Sequence, residues 1–254
     1  MSARIIAIAN RKGGTGKTTT AVNLAAEWAR RGKRTLIIDL DSQGHAAIGV
    51  GCGEYEKGWP TIHGLFRNPE LDLRSLIHKT PVPNLFLIPA DCDFDGLENN
   101  QDVSLLRRKL KAETVQEEYQ MIVLDTPPTQ DNMLVSALAA ADGVLVPFIP
   151  HHLTEVGVRQ LAKLFYRVAT THNADLKLVG LLPIMLDRRI NQHQQVLERL
   201  SKRFGTQRML RGVRSNIRLA EAFAHGKPVS DYAARCPGAL DYYLLANELE
   251  TFWQ

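Results

Sequence analysis

Short apolar runs of β-type residues alternate with helix-type patterns along the whole chain, and this alternation restricts the fold more than any other feature. Such an order is typical of parallel strands joined by helices. The predicted strands cover residues 4–10, 35–39, 85–89, 121–125, 143–148 and 177–184. The predicted helices cover residues 17–31, 103–118, 131–139, 154–171 and 192–204. We therefore expect an α/β fold, with a mostly parallel, twisted sheet covered by helices on both faces.

Length and composition favour an ordinary globular protein. The chain has 254 residues, of which 44% are hydrophobic and 23% charged, and it shows no internal repeat or linker, so a single domain over residues 1–254 is expected. No apolar run approaches the roughly 18–20 residues of a membrane helix, and no signal-peptide layout is present. Three cysteines without metal-ligand spacing give no support for a zinc site or a disulfide framework. These features predict a cytosolic protein.

A glycine-rich segment follows the first predicted strand and opens the first predicted helix. It reads KGGTGKTT over residues 12–19. Glycines let successive backbone N–H groups turn towards phosphate oxygens, a lysine reaches the β- and γ-phosphates, and a threonine hydroxyl binds Mg²⁺. The N-terminus of the following helix adds partial positive charge. The segment therefore predicts a P-loop, whose nucleotide-binding residues are Gly13, Gly14, Thr15, Gly16, Lys17, Thr18 and Thr19.

The start of this loop departs from the general P-loop pattern, because Arg11 stands where the first glycine would be and Lys12 follows it. KGGTGKTT resembles the deviant Walker A motif of the ParA/MinD family of ATPases. The resemblance implies ATP and Mg²⁺ as cofactors, and a homodimer with ATP in which Lys12 reaches the nucleotide of the other subunit. A second cation near a triphosphate would stabilise charge on the transferring phosphoryl group. Lys12 and Lys17 are therefore candidate catalytic residues.

Two carboxylates stand at or just beyond the ends of predicted strands. Asp41 follows the strand 35–39, and Asp125 ends the strand 121–125, at the edge where open α/β sheets bind ligands. A lone aspartate at a strand end more often caps a turn or a helix, but a P-loop and two such segments in the family's order favour a catalytic site. The resemblance implies that Asp41 orients or activates the attacking water. It also implies that Thr18 binds Mg²⁺ and that Asp125 supports the ion through a bound water.

A segment near the C-terminal end favours one branch of this family. SNIRLAEA over residues 215–222, followed by HGKP over 225–228, resembles the NxRLxEA…GKP segment of ParA-type partition ATPases. Three departures accompany it: Ser42 replaces the proline of the family's DPQ segment, Phe223 interrupts the family's usual APS pattern, and residues 213–215 stand where a proline often lies near adenine. The adenine contacts are therefore not assigned from the sequence.

The distribution of charge agrees with this branch. The net charge is +4, but residues 187–218 hold nine basic and two acidic residues, a net +7, which leaves −3 for the remainder. Clustered basic residues are typical of binding to nucleic-acid phosphates without sequence preference, although a solvated helix face is the alternative interpretation. The candidate DNA-binding residues are Arg188, Arg189, Arg211, Arg214 and Arg218.

The leading hypothesis is an ATP-dependent DNA-binding ATPase that segregates or positions a cargo, which would be a plasmid, a chromosome region or a protein assembly. Its ATP-bound dimer would bind nucleoid DNA, and a cargo-bound adaptor, ParB-like or of another kind, would stimulate hydrolysis. The rivals are a MinD-like regulator of proteins or membranes that uses no DNA, and a P-loop metabolic enzyme.

Both ends of the chain bear on these alternatives. Residues 238–254 contain no lysine or arginine and have a net charge of −3, which argues against a basic amphipathic membrane helix, so no membrane partner is expected. The first predicted strand begins at residue 4, and leaves no room for a helix-turn-helix domain before it. A site-specific repressor is therefore not expected.

Overall fold

The computed structural model describes residues 2–94, 102–129, 132–152 and 154–253. In these residues seven strands form one sheet in the order β3-β4-β2-β5-β1-β6-β7. Every neighbouring pair is parallel except the pair of β3 and β4. This confirms the predicted mostly parallel sheet. The strands are β1 (Arg4–Ile8), β2 (Thr35–Asp39), β3 (His78–Lys79), β4 (Leu85–Ile88), β5 (Met121–Asp125), β6 (Gly143–Phe148) and β7 (Lys177–Pro183).

The predicted strands agree closely with these bounds. β2, β5 and β6 have the predicted ends, whereas β1 ends two residues earlier than predicted, and β4 and β7 one residue earlier. The edge strand β3 was not predicted, because two residues are too few to show the alternation of polar and apolar side chains by which a strand is recognised.

Helices follow most strands, as the sequence predicts. They are α1 (Lys17–Arg30), α2 (His45–Gly49), α3 (Ile62–Arg67), α4 (Leu105–Leu110), α5 (Glu113–Glu118), α6 (Asn132–Ala140), α7 (Thr154–Thr171), α8 (Asn191–Phe204), α9 (Ile217–Ala224), α10 (Val229–Tyr232) and α11 (Pro237–Phe252). Short 3₁₀ turns lie at Leu73–Leu76 and Thr206–Arg208. The predicted helix 131–139 corresponds to α6, and its first residue lies outside the described residues.

The prediction of one continuous helix over residues 103–118 was wrong, since the structure has two short helices there. Ala112 takes an extended conformation between α4 and α5, with ψ of 137°. The side-chain amide of Gln116 donates a 2.6 Å hydrogen bond to the carbonyl of Leu110 and so satisfies a carbonyl near the end of α4. The break allows Val115 and Tyr119 to be buried. Tertiary packing therefore overrides a helical pattern that contains no Gly or Pro.

The sheet is covered on both faces, as predicted. Along β1, Ile5 and Ala7 belong to one core and Ile6 and Ile8 to the other, because successive side chains of a strand point to opposite faces. Helices α3 to α8 pack on the first face, and α1, α2 and α9 to α11 pack on the second. Within the described residues, no helix has the length and apolar character needed to span a bilayer.

The carboxyl ends of the three central strands meet at one edge of the sheet. β5 lies between β2 and β1, with Asp39 opposite Asp125 across the β2–β5 pair. The loops after β1 and β2 therefore lie on either side of the end of β5. This is the edge at which parallel sheets bind ligands, and it brings together the predicted site residues.

Candidate nucleotide site

The loop between β1 and α1 has the backbone conformation that its glycines predict. Gly14 and Gly16 adopt left-handed conformations, with φ of 70° and 64°, which are costly for residues with a Cβ. Gly16 is also the N-cap of α1, and a Cβ added there would lie 2.6 Å from Cδ1 of Ile184. The N-terminus of α1 and the loop therefore form a backbone cradle suited to an anion.

Asn10 fixes the start of this loop, although the sequence interpretation did not single it out. Its Oδ1 accepts a 3.0 Å hydrogen bond from the backbone N–H of Lys12, and its Nδ2 donates a 2.6 Å bond to the carbonyl of Pro147 at β6. The Thr15 hydroxyl donates to the Lys12 carbonyl at 3.0 Å. These bonds tie the loop to the neighbouring strand and to itself, so the cradle is held in shape before a ligand binds.

Lys17 begins α1 and is buried, with 6% of its surface exposed. Burial lowers the pKa of its ammonium group, whereas the nearby carboxylates of Asp125 and Asp41 act to raise it. Its Nζ donates to the carbonyl of Lys12 at 3.5 Å. A buried ammonium beside this cradle is placed to neutralise phosphate charge, as the P-loop pattern predicts.

Asp125 is fully buried at the end of β5, and neither of its oxygens makes a regular hydrogen bond within the described part of the chain. Burial raises the pKa of this carboxyl to about 7; the Thr18 hydroxyl and the Lys17 ammonium act to lower it, and Asp41 adds to the rise. Buried polar groups normally have partners. A carboxylate without one, close to a threonine hydroxyl, fits a hydrated Mg²⁺, which binds oxygen ligands and retains several waters.

Asp39 anchors the loop that presents Asp41, a role not assigned from the sequence. The buried Asp39 carboxylate accepts 3.0 Å hydrogen bonds from the backbone N–H groups of Asp41 and Ala46. Its pKa lies well above the usual range, because the group is buried and faces Asp125 on the next strand, although these two N–H donors act to lower it. The Asp41 side chain is half-exposed and lines the cavity above the P-loop. It is therefore free to meet a water or phosphate there.

Lys12 differs from Lys17 in that its side chain is not buried within this arrangement. It is exposed, and its side chain has no hydrogen-bond or ion-pair partner among the described residues. Only its backbone groups take part in the contacts of the loop. An ammonium group at this position is available to a second molecule that covers the loop.

A second cavity adjoins the phosphate cradle and supplies a candidate base site. Gly16, Thr19, Met185 and Phe223 line both cavities. The second cavity is further lined by Ile184, Val213, Arg214, Ser215, Asn216, Ile217, Leu219, Ala220 and Tyr242. Its largely apolar walls with a few polar groups are typical of sites for a planar heterocycle. The segment 213–215, for which no adenine contact was assigned from the sequence, contributes Val213, Arg214 and Ser215 to the lining of this cavity.

Four of the five arginines predicted to bind DNA are paired with carboxylates. The side chain of Arg188 is exposed and has no hydrogen-bond or ion-pair partner among the described residues. The five arginines and their four carboxylate partners have a formal net charge of only +1. This pairing reduces the electrostatic support for DNA binding by these arginines, which stays a prediction. The four ion pairs, with their nitrogen–oxygen distances, are Arg189–Asp187 (2.7 Å), Arg211–Glu248 (3.8 Å), Arg214–Asp241 (2.8 Å) and Arg218–Glu221 (2.6 Å).

Arg214→Ala is expected to destabilise the fold by about 1–3 kcal/mol, because its guanidinium group makes charged hydrogen bonds to the mostly buried Asp241 on α11. Arg188→Ala, which removes an unpartnered arginine and serves as the matched control, should change the free energy of unfolding by less than about 0.5 kcal/mol. Urea unfolding followed by circular dichroism measures both. Equal effects of the two substitutions would contradict a structural role for the Arg214–Asp241 pair.

The loop, the two strand-end carboxylates and the parallel sheet define a P-loop nucleotide-binding protein. A family model described as an AAA domain matches residues 3–178. The chain is 40% identical over 248 residues to the chromosome-partitioning ATPase Soj of Thermus thermophilus, covering 97% of this chain and 95% of that protein. The chain belongs to the ParA/MinD-type family of ATPases with a deviant Walker A motif.

Solved structures agree with this assignment. Apo McdA of Cyanothece superposes with a TM-score of 0.85 at 20% identity, covering 98% of this chain and 99% of that one, and shows the shared fold. Cobyrinic acid a,c-diamide synthase of Mycobacterium smegmatis, with bound ADP and magnesium, superposes with a TM-score of 0.82 at 25% identity, covering 99% and 95%. ATP and Mg²⁺ are the substrate and cofactor that the site of this family fits.

Proposed function

We propose that this ATPase acts as a switch whose ATP-bound homodimer binds duplex DNA without sequence preference, and so segregates or positions a cargo. The observation that carries the proposal is the side chain of Lys12, which is exposed and unpartnered within the described part of the chain, beside a phosphate site whose other lysine, Lys17, is buried. The similarity to a chromosome-partitioning ATPase supports the cargo role. The cargo would be a plasmid, a chromosome region or a protein assembly.

The dimer would be a two-fold assembly in which each Lys12 meets the nucleotide bound by the other subunit. Such an interface is self-complementary. Within each site, the P-loop backbone and Lys17 would bind the phosphates, while Thr18 and Asp125 would hold Mg²⁺. The bound ion would neutralise charge on the β- and γ-phosphate oxygens.

Hydrolysis would end the dimeric state. Water attacks the γ-phosphorus, the bond from that phosphorus to the β–γ bridging oxygen breaks, and the products are ADP and phosphate. Asp41 would orient the attacking water at the mouth of the cradle. A ParB-like or other cargo-bound adaptor would stimulate this step, so the protein leaves DNA near its cargo and rebinds elsewhere on the nucleoid.

The proposal predicts that ATP produces a dimer and that the dimer, rather than the monomer, binds DNA. In an Asp41→Ala background, which is expected to retain ATP, light scattering should find a dimer with Mg·ATP and a monomer with Mg·ADP. Lys12→Gln in the same background should weaken the dimer by roughly tenfold or more, since a charge-assisted contact to phosphate contributes about 1.5–3 kcal/mol. DNA co-sedimentation at about 0.1 M salt should follow the dimer in each case.

The matched control is Lys57→Gln, which removes an exposed lysine from a loop remote from the P-loop in sequence, and should leave the dimer unchanged. A dimer of equal affinity with ADP, or without nucleotide, would contradict the switch. A normal ATP-dependent dimer that does not bind DNA at low salt would instead favour a MinD-like regulator that acts on proteins.

A further inference from the structure

A cavity of about 460 Å³ lies between the C-terminal end of α1, helix α10 and the beginning of α11. The nucleotide site is at the other end of α1, since Lys17 begins this helix and Glu27 lies ten residues, or about 15 Å, further along it. Among the described residues that line the cavity, none is predicted to bind nucleotide, Mg²⁺ or DNA. Its volume is typical of sites for small molecules. We call it the α1–α11 cavity.

Glu27 lines the α1–α11 cavity with a carboxylate that the fold leaves without a partner. Only 6% of the residue is exposed, and its side chain has no hydrogen bond or ion pair among the described residues. The neighbouring Arg30 pairs instead with Asp231, at 2.6 Å. Arg31 pairs with Glu250, at 3.3 Å. Because buried charges are normally paired, the Glu27 carboxylate is available to a group that enters the cavity.

The position of Glu27 in α1 is unfavourable for a carboxylate. The residue lies in the last turn of the helix, where the partial negative charge of the helix end disfavours an anion. Burial raises the pKa of its carboxyl group, the charges of Arg31 and Arg30 act to lower it, and Asp231 adds to the rise. A residue that departs from the rules of stable folding in this way is a candidate for a functional role.

Ser230 supplies a second buried polar group to the same cavity. The residue is 7% exposed, and its hydroxyl has no hydrogen-bond partner within the described part of the chain, although buried polar groups normally have one. Helix α10, which carries Ser230, is fixed on α1 by a 2.8 Å hydrogen bond from the backbone N–H of Val229 to Oδ1 of Asn23. The hydroxyl and the Glu27 carboxylate are therefore held on two walls of a cavity that exists before a ligand binds.

The rest of the lining supplies an unpaired cation and an apolar wall. Arg235 is exposed, and its guanidinium group has no hydrogen-bond or ion-pair partner among the described residues. Leu240 and Tyr243 lie about one turn apart on α11 and are 50% and 48% exposed. The guanidinium group of Arg31 lies 4.9 Å from the centre of the Tyr243 ring and donates a 2.8 Å hydrogen bond to the Tyr243 carbonyl. These contacts hold the apolar wall in place.

We propose that the α1–α11 cavity binds a free α-amino acid with an apolar side chain. The ammonium group of the ligand binds the Glu27 carboxylate and the Ser230 hydroxyl, and its carboxylate pairs with Arg235. Its side chain packs on Leu240 and Tyr243. A simple cation would leave Arg235 unpaired, and a simple anion would meet the carboxylate of Glu27, whereas a zwitterion satisfies both charges. This inference does not depend on the proposed function.

The form of the site favours a small molecule over a protein partner. Specific protein interfaces bury about 800 Å² on each partner. Among the described residues, the large exposed apolar side chains that line the cavity are Leu240 and Tyr243, and two side chains do not form a surface of that size. The polar groups without partners, on Glu27 and Ser230, are recessed below this rim. A ligand small enough to enter the recess can reach them.

Titration calorimetry of the whole protein with L-leucine and with L-phenylalanine, at about pH 7 where both are zwitterions, tests the proposal. At least one of the two should bind with a Kd below about 1 mM. Each amino acid is compared with two analogues that lack one charge. They are isoamylamine and isocaproate for leucine, and phenethylamine and hydrocinnamate for phenylalanine. Every analogue should bind at least about tenfold more weakly than its parent, because one charge-assisted contact is lost.

Substitutions in the cavity test which residues bind the two charges. Glu27→Gln and Arg235→Gln should each weaken binding of the amino acid by about tenfold or more, since each removes one charged partner. The matched controls are Glu198→Gln and Arg203→Gln, which remove the same charges from exposed residues of α8 on the other face of the sheet. They should change the affinity by less than about twofold. Mg·ATP affinity, measured on every variant, shows that the fold is intact.

Thermal unfolding separates a binding role of Glu27 from a structural one. Without ligand, Glu27→Gln should raise the Tm by about 2–4 °C, because it removes an unpaired buried charge from the C-terminal end of a helix. A glutamate that only supported the fold would give a variant with a lower Tm. The amino acid that binds should raise the Tm of the unsubstituted protein, since it stabilises the folded state.

Four results would each overturn the inference. They are failure of both amino acids to bind, equal affinity of an analogue that lacks one charge, unchanged affinity in Glu27→Gln, and a lower Tm of that variant without ligand. Equal affinity of isoamylamine or phenethylamine would identify a site for a simple amine, such as a lysine side chain of a partner protein. None of these results bears on the proposed function, which the dimerisation and DNA-binding experiments test separately.

Discussion

Lys17→Ala is expected to weaken Mg·ATP binding by about 100-fold or more, which corresponds to roughly 3 kcal/mol. Lys17 is the buried cation of the site, and Asp125 and Asp41 both lie close enough to influence its pKa. Removing the ammonium group leaves only the magnesium ion to compensate the charges of these carboxylates and the triphosphate. The variant therefore lacks a charge-assisted hydrogen bond to phosphate, and the repulsion between phosphate and carboxylate is less well relieved. Titration calorimetry with Mg·ATP measures the effect.

Lys12→Ala is the matched control, because it removes a lysine from the same loop. The Lys12 side chain is exposed and its backbone atoms make the contacts within the loop, so the affinity of the monomer should change by less than about threefold. Thermal unfolding of both variants without nucleotide tests whether the fold is kept. Unchanged Mg·ATP affinity in a folded Lys17→Ala protein would contradict the interpretation of residues 12–19 as a P-loop.

The phosphate loop could be predicted from the sequence because its requirements are local. Left-handed backbone at Gly14 and Gly16 demands glycine at fixed offsets from the lysine, and the strand before and the helix after are adjacent in the chain. Asp41 and Asp125 could be predicted for a similar reason, since Asp41 follows two residues after the end of a strand and Asp125 ends one, and both strands have plain apolar runs. The sheet then brings these ends together through β-strand register.

The neighbouring cavity could not be predicted in the same way. Its lining comes from four distant parts of the chain, represented by Gly16, Met185, Asn216 and Tyr242. No local sequence pattern indicates that these residues lie close together. Met185 also adopts a left-handed conformation, with φ of 49°, which is uncommon for a residue with a side chain. This conformation is not indicated by the residue type, so it leaves no signal in the sequence.

The pairing of arginines with carboxylates could not be predicted from the sequence for the same physical reason. Clustering along the chain indicated a basic segment, but Arg211 and Arg214 meet Glu248 and Asp241, which lie 37 and 27 residues away on α11.

Asp41→Ala is expected to slow ATP hydrolysis by about 100-fold or more while leaving Mg·ATP affinity within about threefold, because positioning a nucleophilic water contributes mainly to the transition state. The substitution should spare the loop itself. Asp39 holds the loop through the backbone N–H groups of residues 41 and 46, and alanine keeps that N–H. The substitution does remove the 3.1 Å hydrogen bond that the Asp41 carboxylate accepts from the backbone N–H of Gln43.

Asp41→Asn separates these two roles, because the amide oxygen can still accept the bond from Gln43 while the negative charge is absent. If the carboxylate positions or activates the water, Asn should hydrolyse ATP as slowly as Ala, and both variants should accumulate the ATP-bound dimer. Steady-state phosphate release at saturating ATP, with DNA present, measures turnover, and light scattering measures the dimer.

Near-normal turnover in Asp41→Asn, with slow turnover in Asp41→Ala, would mean that the side chain acts only by shaping the loop. Normal turnover in both would exclude Asp41 from the reaction, and the attacking water would then have to be oriented by another group at the mouth of the cradle, where Gln43 and His45 also lie.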